Sequence, residues 1–349
     1  MNVKQQKPSL KRTGTAVTRK QLSVSQEELI RTESLGAGQP LPLVIQPAVD
    51  GVSLVDWTRR NLEFIERSLL DHGAILFRNF KVETVAEFER LIMTVSAELL
   101  DYSYRSTPRT QVSGKIFTST EYPAYQTIPL HNEMSYSLNW PLKIWFFSIK
   151  TAQQGGETPI ADSRRVFERI DPMLREQFSR KRIMYVRNYG DGLDLSWQDV
   201  FQTTNKLEVE EFCRRTNIEF EWTGINRLRT SQICQAVATH PKTGQTVWFN
   251  QAHLFNISSL EPEVRQSLLS AFEERDLPRN TYYGDGSPIE TSALDEIREA
   301  YQQEAIIFPW REGDILMLDN MLTAHGRMPY AGPRKVVVGM AESSEARSA

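Results

Sequence analysis

His131 and Glu133 stand two residues apart, and His325 and Arg334 follow far down a chain of 349 residues. Two imidazoles and one carboxylate are the ligand set of a mononuclear non-haem Fe(II) centre that keeps open positions. An arginine soon after the last histidine suits an α-keto acid co-substrate. Guanidinium grips a carboxylate in a fixed two-pronged geometry and keeps its charge. In an extended strand residues i and i+2 share one face, about 6–7 Å apart. The spacing therefore predicts that His131 and Glu133 reach one metal from one strand, with Asn132 turned away. His325 must come from a distant strand, which a double-sheet barrel supplies. A His-x-Glu pair alone is weak, because chance and ordinary core histidines both produce it, so the surrounding sequence carries the weight.

Five blocks occur in order: K-x-F-T-S-T-E-Y-P at 115–123, H-N-E at 131–133, G-G-E-T at 155–158, H-P-x-T-G-x-x-x-W-F-N-Q-A-H at 240–253 and H-G-R…G-P-R at 325–334. Over residues 40–342 the chain resembles the taurine dioxygenase/TfdA-like family of Fe(II)- and 2-oxoglutarate-dependent oxygenases. Within that family it is most similar to the branch of the syringomycin-pathway aspartyl hydroxylase and other natural-product amino-acid hydroxylases. The resemblance implies His131, Glu133 and His325 as iron ligands, with Thr158 and Arg334 binding 2-oxoglutarate. Lys335, also basic, leaves a one-residue shift open. Several family members carry Asp where this chain has Glu133, and related halogenases carry a small residue there to admit halide. Glu133 thus argues against halogenation. Gly155-Gly156, just before Thr158, let backbone approach a ligand closely.

Other polar residues have ordinary readings beside functional ones. Arg105, Thr107, Thr118, Thr120 and Glu121 precede His131 and are candidates for substrate contacts, or simply a polar turn and strand. Arg327 either orients a substrate carboxylate or braces an acid behind the ligands. His253 is a candidate pocket residue and not a metal ligand, while His240, before Pro241, is expected to hold a turn. Trp140, Trp145, Trp248 and Trp310 read as core that also keeps water from the reacting centre.

Lys+Arg total 41 against 44 Asp+Glu, for a net charge of −3. That balance points to neither nucleic acid nor a membrane surface. Cys213 and Cys234 fit no zinc or redox spacing and read as unpaired thiols of a reducing, cytoplasmic setting. No apolar run reaches membrane-spanning length. Residues 1–20 hold six Lys/Arg and no acid. Residues 1–40 are expected to be a basic, disordered tail.

The body, 41–342, is expected to be one oxygenase domain with a large insertion around 183–310 and a short tail at 343–349. Helical spacing predicts helices at 56–71, 83–100, 163–181, 205–217, 261–275 and 290–303. Strands are expected at 73–77, 143–150, 218–223, 232–238, 245–250, 313–318 and 334–340. The fold class is mainly β with flanking helices. The resemblance makes it a double-stranded β-helix, the jelly roll of clavaminate synthase-like proteins.

The resemblance implies an enzyme using Fe(II), 2-oxoglutarate and O2. Its expected reaction is hydroxylation of an unactivated C–H bond, with desaturation or epoxidation open to the same machinery. The expected substrate is an amino acid or derivative in natural-product biosynthesis, free or on a peptidyl carrier protein. A small sulfonate or carboxylate used for nutrient scavenging is the alternative. A rival of another class, a cupin-like metal-binding protein without turnover, would not need Thr158 and Arg334 beside an open metal face.

Overall fold

A computed structural model describes residues 29–36, 41–102, 104–190, 192 and 194–346. Most of the expected N-terminal tail, and residues 347–349, lie outside the described residues. Inside that tail, however, Ile30–Ser34 is a strand, paired antiparallel with Leu43–Pro47.

The frame is an eight-stranded sheet. Its order is Ile30–Ser34, Leu43–Pro47, Ala74–Phe77, Ile315–Asp319, Asn139–Lys150, Lys335–Glu345, Ile116–Thr118 and Gln111–Ser113. All neighbours run antiparallel except Leu43–Pro47 with Ala74–Phe77. Alternation along the central strands sends successive residues to opposite faces. Ile75, Phe77, Trp145, Phe147, Ile315, Met317 and Val337 pack beneath helices. Those helices are Leu54–Arg60, Leu62–His72 and Val85–Val95, which bring Trp57, Ile65, Leu69, Phe88 and Leu91. Leu76, Ile144, Phe146, Leu316, Leu318 and Val338 form the other face, with Ile160 and Phe308.

Opposite that second face stands a three-stranded sheet, Ile128–His131, Thr323–Arg327 and Ile160–Asp162, continued by the pair Gln154–Gly155 and Tyr330–Ala331. The two layers make the jelly roll. The segment between them adds a four-stranded sheet, Glu219–Trp222, Leu228–Cys234, Ile183–Tyr189 and Arg279–Tyr283. Its cluster of Tyr185, Tyr189, Trp197 and Phe255 reaches Tyr104 and Tyr136 of the barrel.

Two helices expected to be continuous are broken. Asn61 interrupts the first, and its amide donates to the Trp57 carbonyl at 2.7 Å. Asp171 caps a new helix with Pro172 in its first turn, ending Ser163–Arg169. Proline tolerates that position and cannot continue the preceding helix. Ile183–Tyr189 is a strand that apolar alternation in that stretch was not read to show. Lys335–Glu345 continues beyond its expected end at residue 340.

Candidate metal and co-substrate centre

His131 and His325 are direct cross-strand partners in the small sheet. Their rings lie 4.6 Å apart between centroids. The pairing slips between His325 and Arg327, where Ile128–His131 carries an extra residue. Gly326 fills the slip: a Cβ there would stand 2.6 Å from the Ile128 carbonyl oxygen. No other residue type fits so close a backbone approach.

Glu133 is not in the strand. The strand ends at His131, and Glu133 opens the following turn, with Met134 at φ 56°. The expected i, i+2 strand geometry is therefore corrected, although the carboxylate still converges on the histidines. One ligand atom each from His131, Glu133 and His325 lies within 4.8 Å of the others, a group able to hold a metal ion. Glu133 Oε2 is 3.8 Å from His325 Nε2.

Asn320 substitutes for the missing strand. Its side chain accepts from the Glu133 N–H at 2.7 Å and donates to the Glu133 carbonyl at 2.9 Å, with a further bond to Pro141 O at 2.8 Å. Asn132 does turn away, donating to Ser163 Oγ and the Asn320 carbonyl. Sequence reasoning missed Asn320, yet Asp319-Asn320 is a polar pair inside the apolar run 315–322, and that was a usable signal.

Arg109 was missed too. Its Nη2 donates to Glu133 Oε2 at 2.6 Å, with both side chains buried. The Glu133 charge holds the guanidinium protonated against burial, which alone would lower its pKa. Nothing in R-S-T-P-R at 105–109 separates this arginine from Arg105.

The histidines are poised as neutral ligands. Burial pushes His131 down and His325 well down from the usual histidine range. His131 Nδ1 faces the Pro129 carbonyl at 2.8 Å, the partner of an Nδ1–H, which leaves the Nε2 lone pair free. His325 Nδ1 is buried without a partner. Neutral imidazole nitrogens, a carboxylate and an orphaned buried nitrogen fit a divalent iron. The Phe146 ring, from the large sheet, stacks 5.1 Å from His325 and closes one side to water.

Arg334 lies half buried at the neighbouring strand junction. Its Nε donates to the Gly156 carbonyl at 2.9 Å, and Nη1 stands 3.4 Å from Ser119 Oγ. Burial, then the charge of Arg327, pushes its pKa down to about 10. It has no carboxylate partner among the described residues, so its charge is open to a ligand. A Cβ on Gly156, already at φ 77°, would meet Arg334 Cδ at 2.9 Å. Thr158, two residues on, is buried and accepts from Trp310 Nε1 at 3.0 Å, which leaves its hydroxyl hydrogen to donate. Lys335 is exposed.

The other candidates have local partners. Arg327 neither braces an acid nor stands free. It donates to the carbonyls of Thr120, Tyr122, Pro123 and Gln126, and so clasps the loop before His131. Arg105 bonds to the Tyr102 carbonyl and Gln202. Thr120 Oγ1 meets Thr107 Oγ1 at 3.3 Å, and exposed Glu121 accepts from Thr118 at 2.8 Å. His253 faces the Leu130 carbonyl at 3.0 Å, one residue before His131, and stacks on Tyr301. His240 holds its turn through Thr243 and meets Asp319 at 3.0 Å. Cys213 and Cys234 are buried and unpaired.

Residues 37–340 match the family model described as taurine catabolism dioxygenase TauD, TfdA family. The dapdiamide synthesis protein DdaC of Enterobacter agglomerans is 43% identical over 276 residues, covering 79% of this chain and 84% of that protein. A clavaminate synthase-like protein of Arabidopsis thaliana is 28% identical over 325 residues, covering 86% and 94%. Among solved structures, PvcB of Pseudomonas aeruginosa superposes with a TM-score of 0.54 at 14% identity, covering 91% and 93% of the two chains. AAD-2, solved with Mn(II) and N-oxalylglycine, gives 0.53 at 14% identity, covering 91% and 99%. These structures share the fold. With the family matched over almost the whole body and a metal-competent triad at its centre, the chain belongs to the TauD/TfdA family and is a non-haem Fe(II)- and 2-oxoglutarate-dependent dioxygenase.

Proposed function

We propose that His131, Glu133 and His325 hold the iron, that Arg334 and Thr158 hold 2-oxoglutarate, and that the enzyme hydroxylates an unactivated C–H bond of an amino acid or amino-acid derivative in natural-product biosynthesis. The convergence of the three ligand atoms within 4.8 Å carries the first part. The substrate class rests on the similarity to DdaC, a dapdiamide synthesis protein. Bound iron with 2-oxoglutarate and O2 supplies the oxidising power, and the protein supplies placement. Arg109 and Asn320 fix the Glu133 side chain and backbone. Arg334 offers its charge to the distal carboxylate of the co-substrate, with the Thr158 hydroxyl beside the same strand junction. Phe146 keeps one side of the centre dry. Glu133 fills the position a halide would need, so products made in chloride buffer carry oxygen and no chlorine.

Presentation of the substrate by a carrier protein belongs to the same proposal. The test is succinate release from 2-oxoglutarate across a panel of amino acids, free and carrier-bound. Before it, anoxic protein with Fe(II) and 2-oxoglutarate should develop a visible band near roughly 500 nm, a property of the chelated keto acid. No band, together with iron binding unchanged by His131→Ala, removes the metal assignment. A chlorinated main product removes Glu133 from the ligand set.

A further inference from the structure

Arg187 is buried to 1% exposure at the centre of the four-stranded sheet. Its single hydrogen bond goes from Nη2 to the Arg105 carbonyl at 3.1 Å. Nε and Nη1 are buried with no partner. A guanidinium taken out of water without a counter-charge is costly, and proteins keep one only where something offsets it. Its cross-strand partner is Arg279, so two cations lie side by side. Among the described residues the acid near them is Asp194, and Arg279 takes both its oxygens, at 2.8 and 2.5 Å. Two guanidiniums and one carboxylate leave a positive charge uncompensated.

The surroundings suit a small anion. Tyr104 and Tyr189 face the guanidinium at 5.4 and 5.0 Å from their ring centroids. Thr230, buried, is its partner on the other side. Tyr104 has φ 52°, a conformation rare outside glycine and often kept at functional positions. The site adjoins the metal centre through two short connections. The segment from Tyr104 leads to Arg109, which holds Glu133. Tyr136, three residues beyond Glu133, donates to the Tyr104 carbonyl at 3.0 Å.

We infer that Arg187, with Arg279 behind it, is the recognition site for a carboxylate of the organic substrate, and so selects substrates that carry a free acid. The inference rests on the proposed reading of the substrate as an amino acid or derivative, and it adds which group is held and by what. A bidentate carboxylate would use the two free N–H positions and restore neutrality. Removing the charge costs the empty protein little, because a buried cation without a partner is replaced by an apolar chain of similar length at no loss or a gain.

The experiment measures binding by calorimetry to the full-length, metal-free chain. The probes are L-amino acids and their C-terminal amides, against wild type, Arg187→Met, Arg187→Lys and Arg334→Met. The expected result is at least tenfold tighter binding of an acid than of its amide in the wild type. That ratio should fall to near one in Arg187→Met, recover in part in Arg187→Lys and survive Arg334→Met. The melting temperature of empty Arg187→Met should hold or rise. Equal behaviour of acid and amide in the wild type, including no binding of either, overturns the inference. So does an acid preference that survives Arg187→Met or disappears with Arg334→Met. A lowered melting temperature with the ratio intact marks a purely structural arginine. The visible band of the iron–keto acid complex is read separately in Arg187→Met. Its loss in the wild type sinks the metal assignment, while its persistence beside an unchanged acid preference sinks only this inference.

Discussion

The large sheet and the four-stranded sheet both bury charged side chains, and they treat them differently. In the large sheet every such charge has its counterpart. Arg78 grips Asp314 through two nitrogens, at 3.0 and 2.7 Å, and Lys143 is held between Glu66 and Glu342. His240 meets Asp319, whose other oxygen accepts from the Met321 and Leu322 N–H groups. On the side facing the metal centre the charges are left incomplete. Arg187 has two unpartnered nitrogens, Arg109 two more, and Arg334 no acid. Charges that only build the frame are neutralised inside the protein. Charges reserved for ligands keep donors open and carry the desolvation cost until a ligand arrives.

The sharpest break of this contrast removes a ligand. His325→Ala should abolish both iron binding and succinate release, since the remaining pair holds a divalent metal poorly; metal content after dialysis reads it directly. In the frame, Arg78→Met should strand Asp314 as a buried charge and cost about 3–5 kcal/mol of stability in denaturant unfolding. A loss under 1 kcal/mol (about a fivefold change, by the usual conversion) would mean that the frame's pairing is ornamental. Arg334→Ala should raise the 2-oxoglutarate requirement by roughly 2–5 kcal/mol, about 30-fold to several thousand-fold, with stability almost unchanged. Lys335→Ala is the matching control and should leave that requirement alone. If the two exchange effects, the exposed lysine is the anchor.

A smaller effect separates the regions by pH. Burial pushes His253 down to about 3 in the folded protein, against about 6.5 when unfolded. Between those values the unfolded chain binds the proton and the folded chain does not. The stability from this residue is therefore complete above about pH 6.5 and is lost as pH falls toward 3, by up to ~1.4 kcal/mol per pH unit. His253→Gln keeps a donor for the Leu130 carbonyl and should make the acid limb of the unfolding curve shallower by one proton. An unchanged limb assigns the acid sensitivity to the other buried histidines.

Much of this arrangement was legible in the residues. The apolar alternation of 143–150 and 313–318, the glycines before Thr158 and the ordering of the five blocks gave a two-layer β fold and named the three residues that converge. What escaped depends on tertiary context. Asn61 and Asp171 break helices that spacing alone would continue, because capping bonds compete with propagation. Arg109, Arg187 and Arg327 look alike in one dimension; only packing shows that one holds Glu133, one is unpaired and one clasps a loop. Glu133 leaves the strand because Asn320, nearly two hundred positions away, offers its backbone a better partner than a neighbouring strand does.

The direct pairing of His131 with His325 also bears on how the chain can change. Everything between these residues begins and ends at one point in space, so it forms a closed excursion from the centre. Lengthening such a loop costs little, about 0.6 kcal/mol for each doubling. The segment carrying Arg187 and its sheet can therefore grow, shrink or be exchanged while the two imidazoles stay in register. Its boundaries at the small sheet mark where a graft could replace the substrate-facing wall and keep the oxidising centre intact.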